Sequence, residues 1–181
     1  LLTRSAMQIA QDDGHAWLVK VDKADYVGTP HHGAVMERGG FWLQKRLTYS
    51  PYPVPLSALG RIRSDGITDL RHGNVCDADW QHHDEHEDHA DRRQPVPLAD
   101  GVKHYAIAAT LSGGPGERLG KLLGDGLVHP SSATGRHKHQ DFNLAFPTGH
   151  TKIIYGLGHL AMLHDARVLE QLSEWLGKSD A

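Results

Sequence analysis

The amino-acid sequence predicts an α/β fold whose sheet is mainly parallel, and three observations point there. Two short apolar runs, Tyr105 to Leu111 and the segment around Ile153 and Ile154, have the length and composition of strands buried on both faces. Helical periodicity stands before and after these runs, so strands and helices alternate along the chain. The last helical stretch follows Asp165 and places Val168, Leu169, Leu172, Trp175 and Leu176 on one apolar stripe, with Arg167, Glu170 and Glu174 facing water.

Taken in order, residues 1–13 predict a helix. Leu2, Ala6, Ile9 and Ala10 recur at helical spacing and Gly14 supplies a stop. The helix begins without an N-cap residue, although its first N–H groups need partners, so further chain is expected ahead of Leu1. Val19 to Gly28 predicts a strand, more polar than a buried parallel strand should be because of Asp22, Lys23 and Asp25. The turn Thr29-Pro30-His31-His32-Gly33 follows. Residues 34–98 predict a cap inserted between strands: Phe41, Trp42, Leu43, Leu47, Tyr49, Tyr52 and several prolines lack periodicity, and a polar run from Gln81 to Arg93 follows. Tyr105 to Leu111 is the second strand, residues 112–124 a Gly-rich loop with or without a short helix, and Lys152 to Gly156 the third strand. Three strands make a poor core by themselves, so their partners are expected upstream.

Composition narrows the function. At 39% hydrophobic and 23% charged, the 181 residues suit a globular domain with a real core. A net charge of −3 argues against a nucleic-acid surface, which needs clustered Lys and Arg. No apolar run approaches the length that crosses a bilayer. Cys76 is the only cysteine, which excludes a disulfide framework and favours the cytoplasm.

Two glycine-flanked motifs can carry chemistry. Gly124-Asp125-Gly126-Leu127-Val128 puts an acid after one strand, and Gly156-Leu157-Gly158-His159-Leu160 puts a histidine after the next. An acid orients an imidazole through one ring nitrogen, and the other nitrogen takes the proton of a serine hydroxyl. Glycines let tight loops present both side chains at one sheet edge. The alternative is an ordinary Asp-Gly turn and a structural histidine. Gly28-Thr29-Pro30-His31-His32-Gly33 also ends a strand, where active-site loops gather in open α/β sheets.

Together these segments resemble a known family. Gly28-Thr29-Pro30-His31-His32-Gly33-Ala34 with Glu37-Arg38, Arg63-Ser64-Asp65-Gly66-Ile67-Thr68-Asp69-Leu70-Arg71, and the motifs around Asp125 and His159 are similar to segments of the bacterial lipases and esterases that resemble the GPI-inositol deacylase, within the α/β-hydrolase superfamily. Leu1-Leu2-Thr3-Arg4-Ser5-Ala6 resembles the helix that follows that family's nucleophile elbow. The resemblance covers nearly the whole chain except the polar part of the cap. It implies a carboxylester hydrolase with a Ser-His-Asp triad, in which Asp125 is the acid and His159 the general base. It places His31 and His32 near the substrate pocket and requires no cofactor. It implies a small-molecule ester or lipid as substrate. It departs from the family at the polar strand before Gly28 and at His129, where an apolar residue is usual.

No G-x-S-x-G occurs in these residues. The expectation is therefore that 1–181 are the C-terminal part of an α/β-hydrolase domain, with 34–98 as its cap and the nucleophile ahead of Leu1. Loss of a triad nucleophile lowers turnover about 10⁶-fold, so these residues alone are expected to be inactive. Ser5, Ser131 and Ser132 lack the elbow pattern.

The cap aromatics Phe41, Trp42, Tyr49 and Tyr52 suit an acyl-chain pocket or simply cap packing. His82, His86 and His89 would share a helix face and could bind Zn²⁺ or Ni²⁺, but a solvated charged loop is the plainer reading, so no metal is expected. A complete non-catalytic binding subunit using that His segment is the alternative function. Gly116 to Lys121 superficially resembles a phosphate loop, but its spacing is one short and Leu122 stands where Ser or Thr must bind Mg²⁺.

Overall fold

Strand β2 (Lys103–Thr110) is the centre of the molecule because it has a partner on each side and a layer against each face. It pairs in parallel with β1 (Lys23–Val27), Ala24 opposite His104 and Val27 opposite Ile107. On its other side it pairs in parallel with β3 (Thr151–Tyr155), Ala106 opposite Thr151 and Thr110 opposite Tyr155. The computed structural model describes residues 1–34, 69–70, 72–79, 81, 93–115, 117 and 124–177. Among them are the helices α1 (Leu2–Asp12), the short α2 (Pro130–Ala133) and α3 (Ala166–Gly177).

Alternation along β2 divides the core. Tyr105, Ile107 and Ala109 meet Ile154, Leu157, Met162, Val168 and Trp175 on the α3 face. On the opposite face Ala106 meets Met7 and Ala10 of α1 with Leu18, Ala24 and Tyr26, and Ala108 meets Val128 and Ala133. The alanines of β2 bring those layers close to the sheet backbone. The parallel α/β fold is thus present.

Its details differ from the sequence expectation in α1, β1 and α3, and β2 ends at Thr110, leaving Leu111 half exposed. In α1 the buried face is Arg4, Met7 and Ala10, while Leu2 is 84% and Ile9 52% exposed. Arg4 can turn inward because its guanidinium donates to the Val96 carbonyl. Strand β1 is only five residues long, since Leu18–Lys20 winds as a 3₁₀ turn and Val19 points into solvent. Its polar residues have a use: Lys23 donates to the Trp175 carbonyl (2.9 Å) at the C-terminal end of α3, where a cation is favoured. In α3 the stripe is narrower than expected. Val168 and Trp175 are buried and Leu172 packs beside them, whereas Leu169 and Leu176, one residue further round, are more than half exposed. Asp165 does cap α3, its Oδ1 accepting from Arg167 N (2.9 Å).

Of residues 34–98, expected as a cap, Phe41, Trp42, Leu43, Leu47, Tyr49 and Tyr52 lie outside the described residues, as do Glu37, Arg38, residues 63–68 and Arg71. The described pieces are pinned to the body. Asp79 accepts from Val75 N (2.8 Å), Cys76 N (3.1 Å) and Gln94 N (2.7 Å), clasping residues 75–79 to 94. Leu98 and Ala99 pack onto the α1 layer. No helix among the described residues is long and apolar enough to cross a membrane.

Candidate active site

Two loops leave the same end of the sheet, one after β2 and one after β3, and backbone hydrogen bonds zip them together. Leu111 N donates to Gly124 O (2.7 Å), Gly156 N to Ser112 O (2.7 Å), and Leu157 N to Thr110 O (3.0 Å). The last of these links joins the two motifs directly: His159 N donates to Asp125 O (3.0 Å).

Within the first loop, Gly124 has φ +54°, and a Cβ there would run into the Val128 carbonyl. That turn folds Asp125 inward, leaving its side chain 1% exposed. Oδ1 accepts from Leu127 N (2.9 Å) and Val128 N (2.7 Å), which satisfies it and fixes the carboxylate plane. Oδ2 is left to face His159 Nδ1 at 2.7 Å. An ionised carboxylate only accepts, so this contact sets the tautomer: the proton sits on Nδ1 and Nε2 carries the free lone pair. His159 Nε2 makes no hydrogen bond among the described residues, and the side chain is 27% exposed.

The floor under the imidazole comes from the strand-end glycine of β1. Gly28 has φ +61°, and a Cβ there would meet His159 Cε1 at 2.9 Å and run into Met162 Cε. Met162 itself is buried in the α3 layer. The three loops after β1, β2 and β3 therefore meet at one point, with Gly28, Asp125 and His159 in contact or hydrogen-bonded there.

His31 and His32 follow Gly28 on the loop after β1 and make their ring contacts elsewhere. His31 is 1% exposed, edge-on to Tyr26 (4.9 Å between ring centres) and tilted against Phe146 (5.8 Å). His32 lies beside His137 (5.0 Å). None of the hydrogen bonds or ring contacts of these two histidines runs to Asp125 or His159. Burial, and then the Arg4 guanidinium, push His31 down to about 2. Burial takes His32 to about 4, so both rings are neutral near pH 7. Their loop is held by Ser132, which accepts from His32 N (3.0 Å) and donates to Gly33 O (2.9 Å). Ser132 thus has a structural job that its sequence context did not reveal. His129 has a local structural role: its Nδ1 accepts from Ser131 N (3.2 Å) and caps α2.

His82, His86 and His89 lie outside the described residues. Among the described residues no group of three or more His, Cys, Asp or Glu side chains could hold a metal ion. Two contributors were missed in the sequence. Met162 reads as one more apolar residue, and Gly28 reads only as a strand-end turn. Neither carries a signal that it touches His159.

The chain matches no family model, no curated protein and no solved structure.

Proposed function

We propose that these residues carry the acid and the base of a carboxylester hydrolase, an esterase or lipase of the α/β-hydrolase type. The observation that carries the reading is the 2.7 Å contact between His159 Nδ1 and a buried Asp125 carboxylate. The other Asp125 oxygen is tied by two backbone N–H groups, and the second imidazole nitrogen is left unbonded among the described residues. A histidine oriented in this way is a general base awaiting a hydroxyl.

The proposed reaction uses a serine outside these residues, as the resemblance implies. His159 Nε2 takes the serine proton as the serine oxygen adds to the ester carbonyl. The carbonyl re-forms, the C–O bond to the alcohol breaks, and His159 returns the proton to the departing oxygen. Water then adds to the acyl-enzyme with His159 again as base, releasing the acid and regenerating the serine. Asp125 stabilises the imidazolium in both half-reactions without taking the proton itself. Residues 1–181 alone are proposed to be inactive, because they contain no G-x-S-x-G nucleophile elbow.

A serine-directed fluorophosphonate tests the assignment on the gene's full product. Labelling of one serine, in a G-x-S-x-G context ahead of Leu1 and abolished by His159→Ala, is expected. Labelling that ignores His159, or none at all, would overturn it.

A further inference from the structure

Between α1 and the loop after β1 lies a cavity of about 10 Å³, with room for a single atom-sized guest. Arg4, His31, Asp79 and Arg93 line it. Arg4 is 5% exposed, and while its Nη2 reaches the Val96 carbonyl, its Nε has no hydrogen-bond partner. Among the described residues no carboxylate comes within ion-pair distance of it. Asp79 acts on Arg4 only at longer range, and both Asp79 oxygens are already engaged by backbone N–H groups. His31 is more deeply buried still, and both its ring nitrogens lack a partner. A neutral imidazole has one N–H to donate, and Arg4 Nε is a donor only. A buried guanidinium with no directly ion-paired carboxylate and an orphaned buried N–H are both costly. Water would relieve the missing hydrogen bonds but not the charge, whereas a monatomic anion relieves both.

We propose that this cavity binds one monatomic anion of the chloride class, held between Arg4 Nε and a His31 ring N–H. Arg93 closes the wall, its Nη1 directed at the carbonyls of His31 (3.4 Å) and Gly73 (3.3 Å). The bound anion pins α1 to the loop that begins at Gly28, and so acts on the position of that loop without touching the Asp125–His159 pair.

The test uses bromide as the probe. Crystals of the chain grown or soaked in bromide should show an anomalous peak between Arg4 and His31. A cavity holding only water, with no peak, overturns the proposal. In solution the melting temperature should be a few degrees higher in chloride than in gluconate at equal ionic strength, by mass action on the folded state. Arg4→Met should erase that difference, and if it does not fold, His31→Phe serves the same purpose. Equal melting temperatures for the wild-type chain in the two salts, or a difference that survives the substitution, would also overturn it.

Discussion

Asp125 uses its two carboxylate oxygens for different jobs, and that division is what makes it testable at the scale of one residue. Oδ1 holds the turn through Leu127 N and Val128 N, and Oδ2 holds the imidazole. Asp125→Asn keeps one oxygen for the turn but offers an amide where His159 needs an acceptor, favouring the wrong tautomer. In the serine-bearing protein turnover should fall by about 10⁴-fold, while a urea melt should move little. A loss of fold instead of turnover would show that the pair is structural. Gly28→Ala is the second residue-level test. The added methyl meets His159 and Met162 at a positive φ, so a loss of about 1–3 kcal/mol is expected in denaturant unfolding, with a distorted imidazole. The glycine-flanked acid and histidine were legible in the sequence because each combines an ionisable side chain with a tight strand-end turn. The roles of Gly28, Met162 and Ser132 were not, since each depends on a partner between about 100 and 134 residues away.

Among the elements, α1 separates periodicity from burial. Leu2, Ala6, Ile9 and Ala10 repeat at helical spacing, and so do Arg4, Met7 and Ala10; the sets share Ala10, and hydropathy alone favours the first. The core selected the second, because Arg4 brings a carbonyl partner with it and Met7 fits the gap beside Tyr26 and Ala106. Met7→Ala should therefore cost about 2–4 kcal/mol and Ile9→Ala less than about 0.5, measured by urea unfolding. Equal effects would put the wrong face of α1 against the sheet. The same contrast applies to α3, where Trp175→Ala should cost about 3–5 kcal/mol and Leu176→Ala far less. Strand β2 was the easiest element to read. A continuous run buried on both faces leaves no alternative register, whereas the polar approach to β1 disguised where that strand begins.

For the whole molecule, the parallel sheet and the meeting of three loops at one end follow from the order of strands and helices, which the sequence displays. The buried histidine layer does not, because nothing in Pro30-His31-His32-Gly33 distinguishes a sealed ring from an exposed one. That layer gives stability a sign with pH. His31 and His32 are neutral when folded, but take up protons when unfolded below about pH 6.5. Their lowered values mean that the unfolded state binds more protons in acid, so stability is full above about pH 6.5 and is lost as pH falls towards 4 and then 2. Two pH units below the unfolded value, His31 alone should remove about 2–3 kcal/mol. His31→Phe should flatten that acid limb in urea melts between pH 7 and 4.5, and an unchanged slope would show that His31 does not stay neutral.

The pairing of Asp125 with His159 as acid and base is tested most directly by turnover of a short-chain aryl ester by the full product of the gene, compared with its His159→Ala variant. Hydrolysis by the wild type is expected, with its loss by several orders of magnitude in a variant that still folds. No hydrolysis by the wild type, or hydrolysis that survives the substitution, would contradict it.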